Sequence, residues 1–161
     1  MKYLIQILLF VVIFSSCKKE EESSEIILTS TEFVEFGTCF LEYRIDSSEV
    51  VITDSLSYVA FEKALKNNWD LSGSCNNAHL PTVDFKKALL VGKLTKTTCT
   101  NNTYTRQIVF NSNLQKYIYR ITLKHSKNCG NLAESSFNWA IVPKMGSTNK
   151  FIFEISEIIE E

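Results

Sequence analysis

The sequence contains few of the residues and motifs on which most enzymes depend. Its 161 residues include only two histidines, His79 and His125, and both lie in polar segments beside asparagine or serine. It has no Gly-x-Ser-x-Gly elbow, no His-Glu-x-x-His helix and no glycine-rich phosphate loop. The carboxylate pairs Glu20-Glu21 and Glu160-Glu161 lie near the chain ends, which cannot hold two carboxylates at the fixed separation that acid–base catalysis needs. We therefore predict a protein that is not an enzyme and binds no cofactor.

A clustered basic surface is also missing from the sequence. The chain has 17 Lys and Arg against 18 Asp and Glu, for a formal net charge of -1. Its lysines, such as Lys86-Lys87, are scattered among apolar and acidic residues. Because binding to a phosphate backbone needs a clustered basic face, the composition argues against a nucleic-acid partner.

The first 17 residues have the order of a cleavable export signal. Lys2 gives a positive start, residues 4–14 form an apolar run broken only by Gln6, and the small residues Ser15-Ser16 precede Cys17. The run is shorter than the roughly 20 apolar residues that a membrane-spanning helix needs. The segment is therefore interpreted as a signal peptide covering residues 1–16.

The junction around Cys17 resembles bacterial lipobox signals, although Phe14 stands where leucine is usual. In those signals the cysteine is acylated and becomes the mature N-terminus, so the resemblance implies lipidation of Cys17. The charged run that follows, residues 18–22, resembles the surface-export tether of Bacteroidetes lipoproteins, and we predict a tether over residues 17–25. The expected location is the outer membrane, with the protein lipid-anchored and surface-exposed. A plain secretory signal with an unrelated cysteine is the alternative.

Four further cysteines, Cys39, Cys75, Cys99 and Cys129, are spread widely along the chain. An even number of cysteines in an exported chain favours two disulfides. No close Cys-x-x-Cys pair is present, so the sequence predicts no metal site. Three connectivities are open on the count alone.

A predicted hairpin selects one of the three connectivities. Residues 104–110 and 117–123 alternate like strands on either side of the polar turn Asn111-Ser112-Asn113. In such a hairpin residue i lies opposite a residue near 227 minus i, which brings Cys99 to within about one position of Cys129. We therefore predict a Cys99–Cys129 disulfide, which leaves Cys39–Cys75. Each would stabilise the fold by about 2–4 kcal/mol.

The remaining pattern predicts one domain over residues 26–161. An amphipathic helix is expected at Ser55–Lys66, with Asp54 as its N-cap and Asn67-Asn68 ending it. Strands are expected at residues 25–36 (one, or two short ones), 40–45, 49–53, 88–94, 137–143 and 150–156, in addition to the hairpin, with residues 158–161 as a frayed tail. The predicted class is α+β, mainly antiparallel β, forming a sandwich or an open barrel with one helix.

Three aromatic residues are candidate partner contacts: Trp139, Tyr117 and Tyr119. If Ala140 and Val142 face the core, alternation points Trp139 outward, where an exposed tryptophan would be a binding hot spot. A core position is the favoured alternative for Trp139, because the side chain is large and the strand is central. Cross-strand packing explains the tyrosines without any ligand.

Three segments of the chain, residues 80–92, 127–130 and 138–144, resemble parts of the PrcB-like domain of a protease-complex stability subunit. Residues 80–92, which begin Leu-Pro-Thr-Val-Asp-Phe-Lys-Lys, resemble its strand entry. Residues 127–130 and 138–144 resemble its cysteine loop and its terminal Pro-Lys strand. The same pattern occurs in small Bacteroidetes lipoproteins. This chain has residues 97–101 where the family often has a glycine-rich turn, so a protease contact made by that turn would be altered.

The resemblance implies an accessory protein that binds an envelope protein, such as a protease. We therefore expect a non-catalytic protein-binding module whose membrane connection is the lipid on Cys17. The alternative is a lipoprotein that binds a small ligand or glycan, with Tyr104, Tyr117, Tyr119 or Trp139 as the stacking surface.

Overall fold

Eight strands and one helix are formed by the part of the chain that the computed structural model describes, which is residues 25–36, 48–69, 80–100, 102–130, 134–147 and 150–160. In chain order they are β1 (Glu25–Ile27), β2 (Glu32–Val34), β3 (Glu49–Ile52), α1 (Ser55–Trp69), β4 (Ala88–Thr97), β5 (Thr103–Asn111), β6 (Lys116–Ser126), β7 (Glu134–Pro143) and β8 (Phe151–Glu160). Of the two alternatives predicted for residues 25–36, one strand or two short ones, the two short strands are present. The strand predicted at residues 40–45 lies outside the described residues.

The strands form two four-stranded sheets. Sheet A has the order β1-β5-β6-β8, and sheet B has the order β2-β7-β4-β3. Every strand pair is antiparallel except β6 with β8, which is parallel. The predicted α+β class is confirmed, and of the two predicted architectures the sandwich is present.

Sheet B is the middle layer of three, between sheet A and α1. Its face toward sheet A carries Leu89, Val91, Ala140 and Val142, which pack against Ile108, Phe110, Tyr117, Tyr119, Ile121 and Leu123 of sheet A. Its other face carries Leu90 and Trp139. These two residues pack with Leu65 of α1 and with Phe36 and Phe85, which lie outside the helix. Burial on both faces explains why residues 89–91 are all apolar rather than alternating.

The β5–β6 hairpin has the predicted register. Tyr104 lies opposite Leu123 and Phe110 opposite Tyr117, so each residue i faces residue 227 minus i. The turn is displaced from the predicted three residues because Asn111 still belongs to β5. Its side-chain Oδ1 accepts a hydrogen bond from the Leu114 N–H (2.9 Å), and Gln115 closes the turn with a φ of 49°.

The helix begins as predicted but ends later. The Ser57 N–H donates to Asp54 Oδ1 (2.8 Å) and the Ser57 hydroxyl donates to Asp54 Oδ2 (2.9 Å), and these bonds lower the pKa of Asp54. The predicted end at Asn67-Asn68 is wrong, because α1 continues to Trp69. Asparagine is only mildly unfavourable in a helix, unlike glycine or proline, so two of them need not stop one.

Only some of the apolar residues of α1 face the core. Tyr58, Phe61 and Leu65 pack into the core beneath sheet B, while Leu56 and Val59 are exposed. The three core residues are spaced by three and four positions and therefore share one face of the helix. No helix in the described part of the chain combines the length and the apolar character that crossing a bilayer requires.

The predicted frayed tail is wrong, because β8 runs to Glu160. Lys124 pairs with Ile158 and Ser126 pairs with Glu160, and the Lys127 N–H donates to the Glu160 carbonyl (3.2 Å). The strand extends this far because β6 is longer than predicted and provides a ladder up to Ser126.

The first described strand includes a residue that belongs to the predicted tether. Glu25, the last residue of the predicted tether, is the first residue of β1. Its carboxylate accepts two hydrogen bonds from the Arg120 guanidinium, both at 2.9 Å, and these bonds lower the pKa of Glu25. Arg120 also donates to Glu154 of β8 (2.8 Å), so one side chain connects β1, β6 and β8.

Candidate functional site

The three aromatic residues predicted to contact a partner are buried, so that prediction is wrong. Trp139 is 1% exposed, and Tyr117 and Tyr119 are 0% exposed. Ala140 and Val142 do face the core between the sheets, as supposed, and Trp139 does point the other way. That direction leads to the second core under α1 rather than to solvent, because sheet B is covered on both faces.

Trp139 is the centre of the core under α1. Its ring centroid lies 4.9 Å from that of Phe36, 5.5 Å from Phe61 and 4.9 Å from Phe137. Gly92 is its partner across β4 and β7, and a Cβ atom added to Gly92 would lie 2.5 Å from the indole ring. The absence of a side chain at position 92 is therefore what makes room for the tryptophan.

Tyr117 and Tyr119 connect β6 to its neighbours. The Tyr117 ring stacks on Phe151 of β8 (4.6 Å between centroids), and its hydroxyl accepts a hydrogen bond from the Met145 N–H. The Tyr119 hydroxyl donates to the Asn138 carbonyl of β7 (3.3 Å), and burial raises the pKa of Tyr119. Both phenols thus have backbone partners inside the protein, and neither offers a stacking surface for a glycan.

A disulfide joins Cys99, just before β5, to Cys129, just after β6, as the hairpin register predicts. The two Cα atoms are 5.0 Å apart, and the bond closes the open end of the hairpin. Cys17, Cys39, Cys75 and His79 lie outside the described residues, so their predicted roles remain predictions.

His125 lies beside this disulfide. Its Nδ1 atom is 3.3 Å from Cys99 Sγ and 3.4 Å from the Ser126 carbonyl. One ligand atom from each of Cys99, His125 and Cys129 lies within 4.8 Å of the others. While the two sulfurs are bonded to each other neither is a thiolate, which is the form of cysteine that binds metals.

Sequence reasoning missed the approach of His125 to Cys99, although the hairpin register contained the signal. Residue 125 faces position 102 in that register, three residues from Cys99. The spacing of cysteines along the chain does not reveal residues that a strand ladder brings together.

β8 is an edge strand of sheet A, at the opposite side of the sheet from β1. β6 occupies one side of β8, and no described strand occupies the other. The Lys150 and Glu160 carbonyls accept hydrogen bonds from β6 and the residue after it. Because backbone groups alternate in direction along a strand, the N–H and C=O groups of Ile155, Glu157 and Ile159 point to the open side.

The side chains along this edge are apolar and acidic. Ile155, Ile158 and Ile159 are 46%, 45% and 61% exposed, and Glu157 and Glu160 are exposed as well. β8 contains no proline, a residue that often blocks edge strands, so its acidic side chains are its main protection against pairing. We call residues 155–160 the β8 edge.

A groove of about 450 Å³ lies at the opposite side of sheet A. β1 covers only three residues of β5, and the groove runs beside the part of β5 that precedes them. The Arg106 guanidinium lies 5.7 Å over the Phe33 ring and 3.5 Å from the Glu35 carboxylate. The walls also carry hydroxyl and amide side chains: Thr29, Thr31, Thr105, Gln107 and Thr122.

Asp84 and Lys144 have structural roles near the start of β4. Asp84 Oδ1 accepts a hydrogen bond from the Lys86 N–H (3.0 Å), as a turn residue does. Lys144 Nζ donates to the Thr53 carbonyl (3.1 Å) and to the Phe85 carbonyl (2.6 Å). It therefore connects the segments before α1 and before β4.

Comparison with protein-family models, with curated proteins and with solved structures finds no match to this chain. The likeness to the PrcB-like domain therefore rests on the short motifs at residues 80–92, 127–130 and 138–144.

Proposed function

We propose that this protein is a non-catalytic, lipid-anchored accessory protein of the outer membrane, which binds another envelope protein through the β8 edge. The open, ten-residue edge strand is the observation that carries this proposal. An extended segment of the partner would pair with β8 and extend sheet A by one strand. In this mode main-chain hydrogen bonds supply affinity, and alternate side chains supply specificity.

The chemistry of the edge favours a partner strand that presents apolar, basic and apolar side chains in turn on one face. Ile155, Glu157 and Ile159 share one face of β8, because side chains two positions apart point the same way. A neighbouring strand would match them best with apolar, basic and apolar side chains, since opposite charges stabilise cross-strand pairs. The acidic edge would also disfavour association between two copies of the chain.

The lipid on Cys17 would hold this edge close to other envelope proteins. Seven residues separate Cys17 from the start of β1, which is about 25 Å of extended chain. Confinement to the membrane raises the effective concentration of a membrane-associated partner. The likeness to a protease-complex subunit supports a protease as the partner, and the charged tether supports exposure at the cell surface.

The anchor is tested by a Cys17→Ser chain expressed in a lipoprotein-processing bacterium. We expect the wild-type chain to incorporate labelled palmitate and to sediment with outer membranes, because several acyl chains give stable anchoring. The Cys17→Ser chain should take up no label and appear in the soluble fraction. Equal sedimentation of both chains without label would contradict the anchor. Treatment of intact cells with protease then tests surface exposure, because only protein on the outside of the cell is cleaved.

The edge is tested by a Glu157→Pro variant in capture experiments from gently solubilised envelopes. Proline removes an N–H that points to the open side and leaves the β6 ladder intact, so the domain should fold. We expect capture of the partner to fall at least about tenfold, since losing one or two hydrogen bonds and the strand alignment costs that much affinity.

The matched control for this experiment is Glu157→Val, which removes the charge but keeps the N–H. The Glu157→Val chain should still capture the partner, although with low affinity, and its binding should no longer depend on salt concentration. A Glu157→Pro chain that is folded by circular dichroism and captures the partner as the wild type does would exclude the β8 edge as the binding site.

The groove beside β5 supports a second candidate, the binding of a small polar ligand such as a glycan. Its threonine hydroxyls, the Gln107 amide and the Arg106 guanidinium can hydrogen-bond a sugar, with Phe33 as the aromatic surface. Capture of no protein by the wild-type chain, together with a melting temperature raised by a soluble glycan, would favour this candidate over strand pairing.

A further inference from the structure

The two sulfurs of the Cys99–Cys129 disulfide have unequal surroundings. Cys99 is only 5% exposed, whereas Cys129 is partly exposed and is followed by the exposed Gly130. Only Cys99 Sγ has the 3.3 Å contact to His125 Nδ1. An external thiol therefore reaches Cys129 more easily, and Cys99 is the sulfur that has a stabilising group beside it.

Hydrogen bonds hold the backbone of Cys99 in place independently of the disulfide. Its N–H donates to Thr97 Oγ1 (3.1 Å), and its carbonyl accepts from the Asn102 side-chain amide (2.6 Å). The same amide donates to the Glu134 carboxylate on β7 (2.8 Å). Because these bonds do not involve sulfur, Cys99 would stay beside His125 after the disulfide opens.

We propose that Cys99, Cys129 and His125 form a thiol–disulfide exchange site, in which a dithiol reductant attacks Cys129 and His125 stabilises Cys99 as the leaving thiolate. The thiolate of the dithiol bonds to Cys129 Sγ, the bond between Cys129 and Cys99 breaks, and its electron pair goes to Cys99 Sγ. In the tautomer that carries a hydrogen on Nδ1, His125 donates a hydrogen bond to that thiolate.

The second thiol of the donor completes the reaction. After losing its proton it attacks the donor's own sulfur in the mixed disulfide, and Cys129 leaves as a thiolate that takes up a proton. The donor departs as a cyclic disulfide. Two electrons and one proton thus pass from the dithiol to the protein, and the second proton goes to solvent. The reverse sequence reduces a disulfide substrate and re-forms the Cys99–Cys129 bond.

His125 matters because the rate of exchange depends on the leaving group. A thiolate that is stabilised by a nearby hydrogen-bond donor leaves faster, with the logarithm of the rate changing by about 0.4–0.5 for each unit of thiol pKa. Neighbouring histidines commonly stabilise a cysteine thiolate by one to several such units. Charged residues near the site in the described part of the chain include Glu134, held by Asn102, and Lys127 in the turn before Cys129. They also include Glu160, whose carbonyl accepts from the Lys127 N–H.

The first test compares the wild type with His125→Gln, using dithiothreitol at pH 7 with EDTA to keep metal ions from the thiols. We expect His125→Gln to slow opening of the disulfide about 3- to 10-fold. The rate is measured by alkylating the free thiols at successive times and counting them by mass spectrometry. Lys127→Gln is the matched control: it removes a positive charge near Cys129 without touching Cys99 Sγ, and its rate should stay within about twofold of the wild type.

Two further measurements separate a chemical role of His125 from a structural one. At pH 7, reduced wild-type protein should show more thiolate absorbance at 240 nm than reduced His125→Gln, while both remain folded by circular dichroism. A monothiol adduct trapped on the wild type should lie on Cys129. Equal opening rates with equal thiolate absorbance, or an adduct on Cys99, would overturn the proposal.

Discussion

Trp139→Ala is expected to lower the free energy of unfolding by about 3–5 kcal/mol, measured by urea denaturation. The indole is almost completely buried and contacts three other aromatic rings, so its removal takes away apolar burial and leaves a cavity under α1. A variant that keeps wild-type stability would contradict the position of Trp139 in the core.

The contact between Trp139 and Gly92 makes a sharper test. A Cβ at position 92 would overlap the indole at 2.5 Å, so Gly92→Ala should cost about 1–3 kcal/mol on its own. In the Trp139→Ala background the same methyl group has space, and the cost should fall by at least about 1 kcal/mol. Gly130→Ala is the control, since a Cβ added at position 130 would have the Thr100 hydroxyl oxygen as its nearest atom, at 3.2 Å. Additive effects of the Gly92 and Trp139 substitutions would show that the two residues do not share this space.

The second large effect is expected from removing the disulfide. Cys99→Ala with Cys129→Ala should lower the unfolding free energy by about 3–4 kcal/mol, because the bond closes a loop between cysteines 30 residues apart and so restricts the unfolded chain. The double substitution avoids leaving one reactive thiol. Denaturation in urea with and without a reductant measures the effect.

The matched comparison is the wild type in excess reductant, which should approach the stability of the double-alanine variant. The variant itself should not respond to reductant. If the double-alanine protein unfolds at the same urea concentration as the oxidised wild type, the Cys99–Cys129 bond contributes nothing to the stability of the fold.

The hairpin is the most predictable part of the fold because its information is local. Two alternating runs close together in sequence fix their own register, and that register by itself brings Cys99 near Cys129. The cap at Asp54 and the turn at Asp84 are predictable for the same reason, since each depends on residues only two or three positions away.

The position of Trp139 is not predictable from the sequence, because alternation shows which residues share a face but not what covers that face. The outward direction expected for Trp139 is correct relative to Ala140. Whether that direction meets water depends on α1, which is distant along the chain. The same limitation applies to β8, whose last residues resemble a tail because the ladder that orders them belongs to β6.

None of the predicted partner contacts belongs to the surface that carries the functional proposal. The β8 edge is hidden in the sequence because strand order, not residue type, decides which strand lies at the edge of a sheet. The polar neighbours of His125 are typical of a loop, although this histidine lies within β6. Both differences arise where residues far apart in sequence become neighbours.

The parallel pairing of β8 with β6 also determines when this protein can finish folding. β8 follows all the other described strands in chain order, and the route from β6 to it passes through β7 in the other sheet. Until β8 has been synthesised, Phe151 and Phe153 cannot pack against Tyr117 and Tyr119. If Cys17 is acylated, the chain is already held at the membrane by its first residue while its last strand completes the core.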